Sequence, residues 1–203
     1  MTLRHRLLAD QNGASAVEFA LVLPLFLVLL FLSIDGGRYL YNINRLEKAT
    51  QYGARFAVVT YPVASDLASI DYVGQVVDGT TLTQGDRIPA DALTTFTCNS
   101  TSCTGGHTFD TTVRNGATPF QAILTRMKLI MPELTAANLT VSYSGSGLGY
   151  AGDPSGMQIS PIVTVTVSGL TWQPISGFMF VNAPYPSISA SLSAEDSIGS
   201  QSY

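Results

Sequence analysis

The first thirteen positions mix apolar and polar residues and close on polar "DQNG"; at Ala14 the pattern changes abruptly. Ala16 to Ile34 is a nineteen-residue apolar run whose one charge is Glu18, and Ala20 to Ser33 carries none. A helix rising 1.5 Å per residue needs about 20 residues to cross a bilayer, so the run predicts a transmembrane helix. A secretory signal peptide competes with that reading, but its apolar core is usually about 7–15 residues and ends at a small-residue cleavage site. Here the helical pattern continues through "DGGRYLYNINRLEKATQYGARFAVV" with no such exit, which predicts a retained anchor. Tyr39, Ile43, Leu46, Thr50, Gly53 and Ala57 recur at alternating four- and three-residue steps, one face of a helix. Ala49, Gly53 and Ala57 add a stripe of small residues that admits another element close to the backbone. Packing on the protein's own sheet is favoured there over a subunit contact. As one helix, Ala14 to Thr60 would be roughly 70 Å long, its first half in lipid and its second supporting the remaining chain. Pro24 lies inside the apolar run, removes one helical N–H and crowds the Ala20 carbonyl, so a kink is expected there.

Further along, "TPFQAILTRMKLIMP" predicts a second, short helix. Thr118 can cap it, Pro119 fits its first turn, Pro132 ends it, and Phe120, Ile123, Leu124, Met127 and Met131 share one face. Strands follow. Leu139, Val141 and Tyr143 alternate with hydroxyl residues, as do Val163, Val165 and Val167, and Ile188, Ala190 and Leu192. Gly-, Pro- and Ser-rich connections predict an antiparallel sheet laid on the first helix, an α+β architecture.

Charge and chemistry narrow the function. Charged residues are 12% of the 203-residue chain, about half the usual share, and the net charge of -4 offers no footprint for nucleic acid. The acids Asp66, Asp71, Asp78, Asp86, Asp91 and Asp110 face only Arg87 in their stretch, which reads as a solvated, loop-rich region. A calcium site is the sharper alternative, but the contiguous spacing of an EF-hand loop is missing. Cys98 and Cys103, in "CNSTSC", are the only cysteines. They have neither redox nor four-ligand zinc spacing, so no metal or cofactor is expected and a disulfide closing a short hairpin loop is. "GSGLGYAG" lacks the lysine and following helix of a phosphate loop and reads as a connection between strands. His5 and His107 have no catalytic motif around them, and no nucleophile motif accompanies the serines, so an enzyme is not expected. Arg4 and Arg6 before the run, and Arg38, Arg45, Lys48 and Arg55 after it, are each partly offset by acids, so charge alone leaves the topology open.

Gly13 followed by "ASAVEF", with Glu18 fifth after the glycine and an apolar helix beyond, resembles the processing site of type IV pilin-like proteins. "GASAVEFALVLPLFLVLLFLSIDGGRYLYNINRLEKATQYGAR" resembles more specifically the TadE-like pseudopilins of the bacterial tight-adherence (Tad/Flp) pilus system. The likeness is close from about Asn12 to Phe56 and only stylistic beyond. It implies a pilin-like domain and a minor pseudopilin, a structural and assembly component. It implies cleavage between Gly13 and Ala14 by a prepilin peptidase, and a cytoplasmic leader. A single pass through the inner membrane and a periplasmic domain follow, with possible incorporation into the pilus. The domains would be a leader at 1–13, the helix with its periplasmic extension at 14–60, and the α+β domain at 61–203. Partners would be the peptidase, other pilins and pseudopilins, the inner-membrane assembly platform and membrane lipid, with no nucleic acid. A carboxylate in lipid costs a few kcal/mol, and pairing Glu18 with the new Ala14 ammonium would recover it; an interfacial Glu reaching water is the simpler alternative. Phe19 belongs to the same assembly motif. The competing function is an uncleaved, membrane-anchored periplasmic binding or adhesion domain.

Overall fold

The computed structural model describes residues 14–154, 156–177 and 182–194. The first element, α1, runs Ala14–Ala57 as one helix, with Pro24 inside it and Arg55 in its last turn. It thus ends three residues before Thr60. Pro24 does not terminate the helix. The Ser33 hydroxyl donates to the Leu29 carbonyl at 2.9 Å, which satisfies a polar side chain within an otherwise apolar surface.

By backbone packing the described chain forms two units: residues 14–42 with 171–177 and 182–183, and residues 43–154 and 156–170 with 184–194. The boundary between these two units falls inside α1, between Asn42 and Ile43.

In the second unit, the short strands β1 (Val76–Val77) and β2 (Thr80–Thr81) form an antiparallel hairpin. Strand β3 (Phe96–Cys98) opens the main sheet, and helix α2 (Pro119–Lys128) follows. Thr118 caps α2 reciprocally. Its hydroxyl accepts from the Gln121 N–H, and the Gln121 side chain accepts from the Thr118 N–H, so two otherwise unpaired donors are satisfied. At the other end the Arg45 guanidinium donates to the Ile130 carbonyl at 2.8 and 3.2 Å, tying α1 to the chain just beyond α2.

The sheet continues with β4 (Leu139–Ser144) and β5 (Ile162–Val167); β6 (Thr171–Trp172) and β7 (Ala183–Pro184) form a separate two-stranded ladder, and β8 (Ile188–Ser193) returns to the main sheet. Its order is β3-β4-β5-β8, all antiparallel. Register places Val141 opposite Val165, Tyr143 opposite Val163 and Leu139 opposite Val167, so one face is continuously apolar. The other face is a hydroxyl surface, on which Thr164 and Ser191 meet at 2.7 Å.

One buried cluster joins Leu46, Ala49 and Ala57 of α1, Ile123 and Met127 of α2, and the apolar sheet face. β8 departs from the sequence expectation in degree. Leu192 remains 41% exposed because β8 is an edge strand with cover on one side only.

Candidate functional site

The site residues anticipated from the sequence separate into three places. Gly13 lies outside the described residues; Ala14 is the first residue of α1. Glu18 stands one turn further on, exposed, on the same helical face as Ala14, about 6 Å along the axis. That spacing would let a carboxylate reach a charged amine at Ala14, but only a cut peptide bond creates one. Around it, Val17, Phe19, Leu21, Val22, Leu25 and Phe26 are all exposed. The helix is long and apolar enough to cross a membrane, and none of its most apolar window is buried. An exposed apolar surface of that length on all sides marks contact with lipid or other helices.

The small-residue stripe is in the second unit, and it is buried. At Gly53 the close neighbour is α2 and not the expected sheet: a Cβ there would come within 2.6 Å of the Met127 sulfur, so glycine is what permits α2 to approach α1. Ala49 and Ala57 flank the contact. Cys98 and Cys103 are bonded to each other, five residues apart, and Asn99 organises the loop between them by accepting from the Thr101 and Ser102 N–H groups, each at 2.8 Å.

Several polar residues that the sequence left as solvated loop have specific partners. Asp110 is almost fully buried and bound by Arg114 at 2.7 Å. Burial pushes its carboxyl pKa up, but the Arg114 and Thr112 donors outweigh this and hold it below the ordinary carboxylate value. Asp86 is held low by the Thr83 N–H and hydroxyl, and Asp71 by the Val73 N–H and the Gln158 amide. Arg87, the single Arg or Lys in that acidic stretch, donates to the Gly147 carbonyl at 2.7 Å. His107 contacts Asp66 at 2.7 Å and stacks on Phe96. A nucleophile is not part of that arrangement. Among the described residues, no group of three His, Cys, Asp or Glu side chains could hold a metal ion. In "GSGLGYAG", a Cβ on Gly145 would meet the Ala90 carbonyl oxygen at 1.8 Å, and one on Gly149 the Gln158 carbonyl oxygen at 2.1 Å. These glycines serve close backbone packing.

Sequence reasoning missed one carboxylate altogether. Asp35 is buried at the end of the apolar run and accepts from the Ile175 and Ser176 N–H groups at 2.9 and 3.1 Å. Its only sequence signal is an acid directly after Ile34; nothing local names a partner 140 residues away.

The exposed apolar helix beginning at Ala14, with Glu18 one turn in, is the geometry of the segment that comparison with protein families picks out. Residues 13–55 match the TadE-like protein family. The TadE-like match opens on Gly13 and closes on Arg55, so it covers the proposed cleavage position, Glu18, Phe19, Pro24 and the Ala49–Gly53 part of the stripe. It supports a component associated with Tad pilus systems, a structural class, and the N-terminal helix is consistent with a single-pass membrane anchor. Neither a curated protein nor a solved structure matches the chain.

Proposed function

We propose that this protein is a minor pseudopilin, a non-catalytic structural component that supports assembly of a Tad-type pilus. The observation that carries this reading is the TadE-like match starting at Gly13, joined to an exposed apolar helix that starts at the next residue. In this reading a prepilin peptidase cuts between Gly13 and Ala14, the leader is cytoplasmic, and the domain from residue 61 onward is periplasmic. The Cys98–Cys103 bond suits an oxidising compartment and supports that topology. The Ala14 ammonium freed by cleavage pairs with Glu18 of its own chain or of a neighbouring pilin-like subunit, and Phe19 packs in the same contact. The inner-membrane assembly platform and the other pilins are its partners.

Mass spectrometry of the N-terminus of protein from its native host tests the first step: the mature chain begins at Ala14, and Gly13→Val accumulates as the longer precursor. Glu18→Ala is expected to be cleaved but to associate less with other pilin-like subunits, because an ammonium left in lipid without its carboxylate costs several kcal/mol. Native protein that retains residues 1–13 in the presence of its peptidase would point instead to an uncleaved, membrane-anchored binding or adhesion domain. Normal crosslinking in the Glu18→Ala variant would remove the assembly role of the acid.

A further inference from the structure

The loop bearing the only tryptophan is fixed to α1 at the level where the apolar run ends. Asp35 follows Ile34 directly and is 3% exposed. Its carboxylate accepts from the Ile175 N–H at 2.9 Å, the Ser176 N–H at 3.1 Å and the Ser176 hydroxyl, and from Arg38 at 3.3 Å. Four donors on two oxygens satisfy a carboxylate withdrawn from water, so this clasp sets the height of the loop along the helix. One turn later Tyr39 meets Trp172 edge to face, with ring centroids 5.5 Å apart. Pro174 and Ser176 are buried, while Ile175 between them leaves 60% of its surface exposed. All these residues belong to the same unit as the apolar run.

The helical rise converts this arrangement into depth. Asp35 is about 1.5 Å and Tyr39 about 7 Å beyond Ile34 along the axis. The polar layer of one leaflet is roughly 5–8 Å thick, half the difference between the full bilayer and its hydrocarbon core. With the apolar run filling the hydrocarbon, Ile175 is level with its boundary and Trp172 lies in the headgroup layer, where Trp and Tyr concentrate in membrane proteins.

We propose that Thr171–Gly177 is an interfacial foot that docks on the lipid bilayer, with Ile175 entering the upper acyl region, Trp172 and Tyr39 at headgroup depth, and Asp35 as the positioning residue. Lipid is the occupant because the exposed surface of Ile175 begins at the level where the lipid-crossing surface of α1 stops. The foot gives the anchor a second point of contact, which resists rotation and tilt of the helix relative to the membrane plane. The inference rests on the reading of Ala16–Ile34 as a membrane span and extends it to a part of the chain outside the TadE-like match.

The test uses the full-length protein reconstituted in phosphatidylcholine vesicles, where tryptophan emission reports this loop alone. Flotation reads insertion; lipids brominated near the glycerol end or near the methyl end of the acyl chain read depth. The expected result is protein that floats, with blue-shifted emission that loses its larger part to the shallow bromines and little to the deep ones. Failure to float overturns the membrane span itself. Floating protein whose emission neither lipid quenches, or which deep bromines quench more, overturns the foot while leaving the span intact. Asp35→Asn is expected to float and to lose most of the shallow quenching; quenching equal to that of the parent chain refutes Asp35 as the positioning residue. Ile175→Asn retains the clasp, which uses the backbone N–H, and is expected to reduce the quenching without affecting flotation. Unchanged quenching in that variant refutes the docking role of Ile175.

Discussion

Replacing Gly53 by alanine places one methyl group between α1 and α2, and its consequence can be worked from the contact. The new carbon would lie 2.6 Å from the Met127 sulfur, 2.7 Å from its Cγ and 3.4 Å from its Cε. Two of those separations are below any ordinary carbon contact, and Met127 has no solvent to move into because it is fully buried beside Ile123 and Leu124. Forcing an extra methyl into a filled core costs about 1–3 kcal/mol. Against this, alanine is a better helix former than glycine by about 1 kcal/mol. The net expectation is a loss of about 1 kcal/mol, with the packing term winning. Urea unfolding of the detergent-solubilised full chain, followed by tyrosine near-UV circular dichroism, reads this as a lower midpoint at unchanged slope. Pairing the substitution with Met127→Ala sharpens the measurement. Met127→Ala alone costs about 2–5 kcal/mol, and the Gly53 methyl then enters the space it leaves. The double variant should be more stable than the two separate losses predict, by about 0.5–3 kcal/mol. A Gly53→Ala chain more stable than the parent, with no coupling to Met127, would refute the close contact as the reason for glycine at this position.

Tyr143 is fully buried, and its hydroxyl accepts from the Val63 N–H at 2.9 Å; Tyr143→Phe leaves that buried donor unpaired and should cost about 1–3 kcal/mol in the same unfolding assay. Burial pushes the Tyr143 phenol well above its ordinary pKa, so no change in ultraviolet absorbance from this residue is expected on raising the pH until the domain unfolds. Acid has the opposite reach. Asp71, Asp86 and Asp110 are held below the reference value of 3.8, so the unfolded chain takes up their protons first as pH falls. Their stabilisation is complete above the unfolded value and disappears as pH drops through the lower folded values, so thermal stability should decline below about pH 4. A shallower decline in an Asp110→Asn, Asp86→Asn variant, which leaves Asp71 in place, would locate it in these groups; an undiminished decline would place it elsewhere. Reducing Cys98–Cys103 opens a loop of five-residue separation and should cost about 2 kcal/mol from loop entropy, read as a lower midpoint with reductant present.

What the sequence determined by itself was local. A nineteen-residue stretch that is apolar except for Glu18 and Ser33 dictates a helix long and apolar enough to cross a membrane, with apolar residues on every side. Thr118, Pro119 and Gln121 specify the start of α2 through a cap made within four residues, and strict alternation in β4 and β5 chooses their buried face before any partner is known. Gly13 and Glu18 fall inside the TadE-like match, a likeness carried by spacing along the chain. The tertiary structure decided whatever depends on residues far apart in sequence. Asp35 reads as an ordinary acid ending an apolar run until the chain returns near residue 175 to supply its donors. Asp110 belongs among loop acids by composition, yet burial beside Arg114 makes it a core residue. The stripe at Ala49, Gly53 and Ala57 allows close approach in the sequence, but only packing shows that Met127 fills it. A helix or a cap is stabilised within a few residues. A buried charge is tolerated only where the folded chain delivers its partners, and a pattern that runs along the chain carries no record of which distant segment will do so.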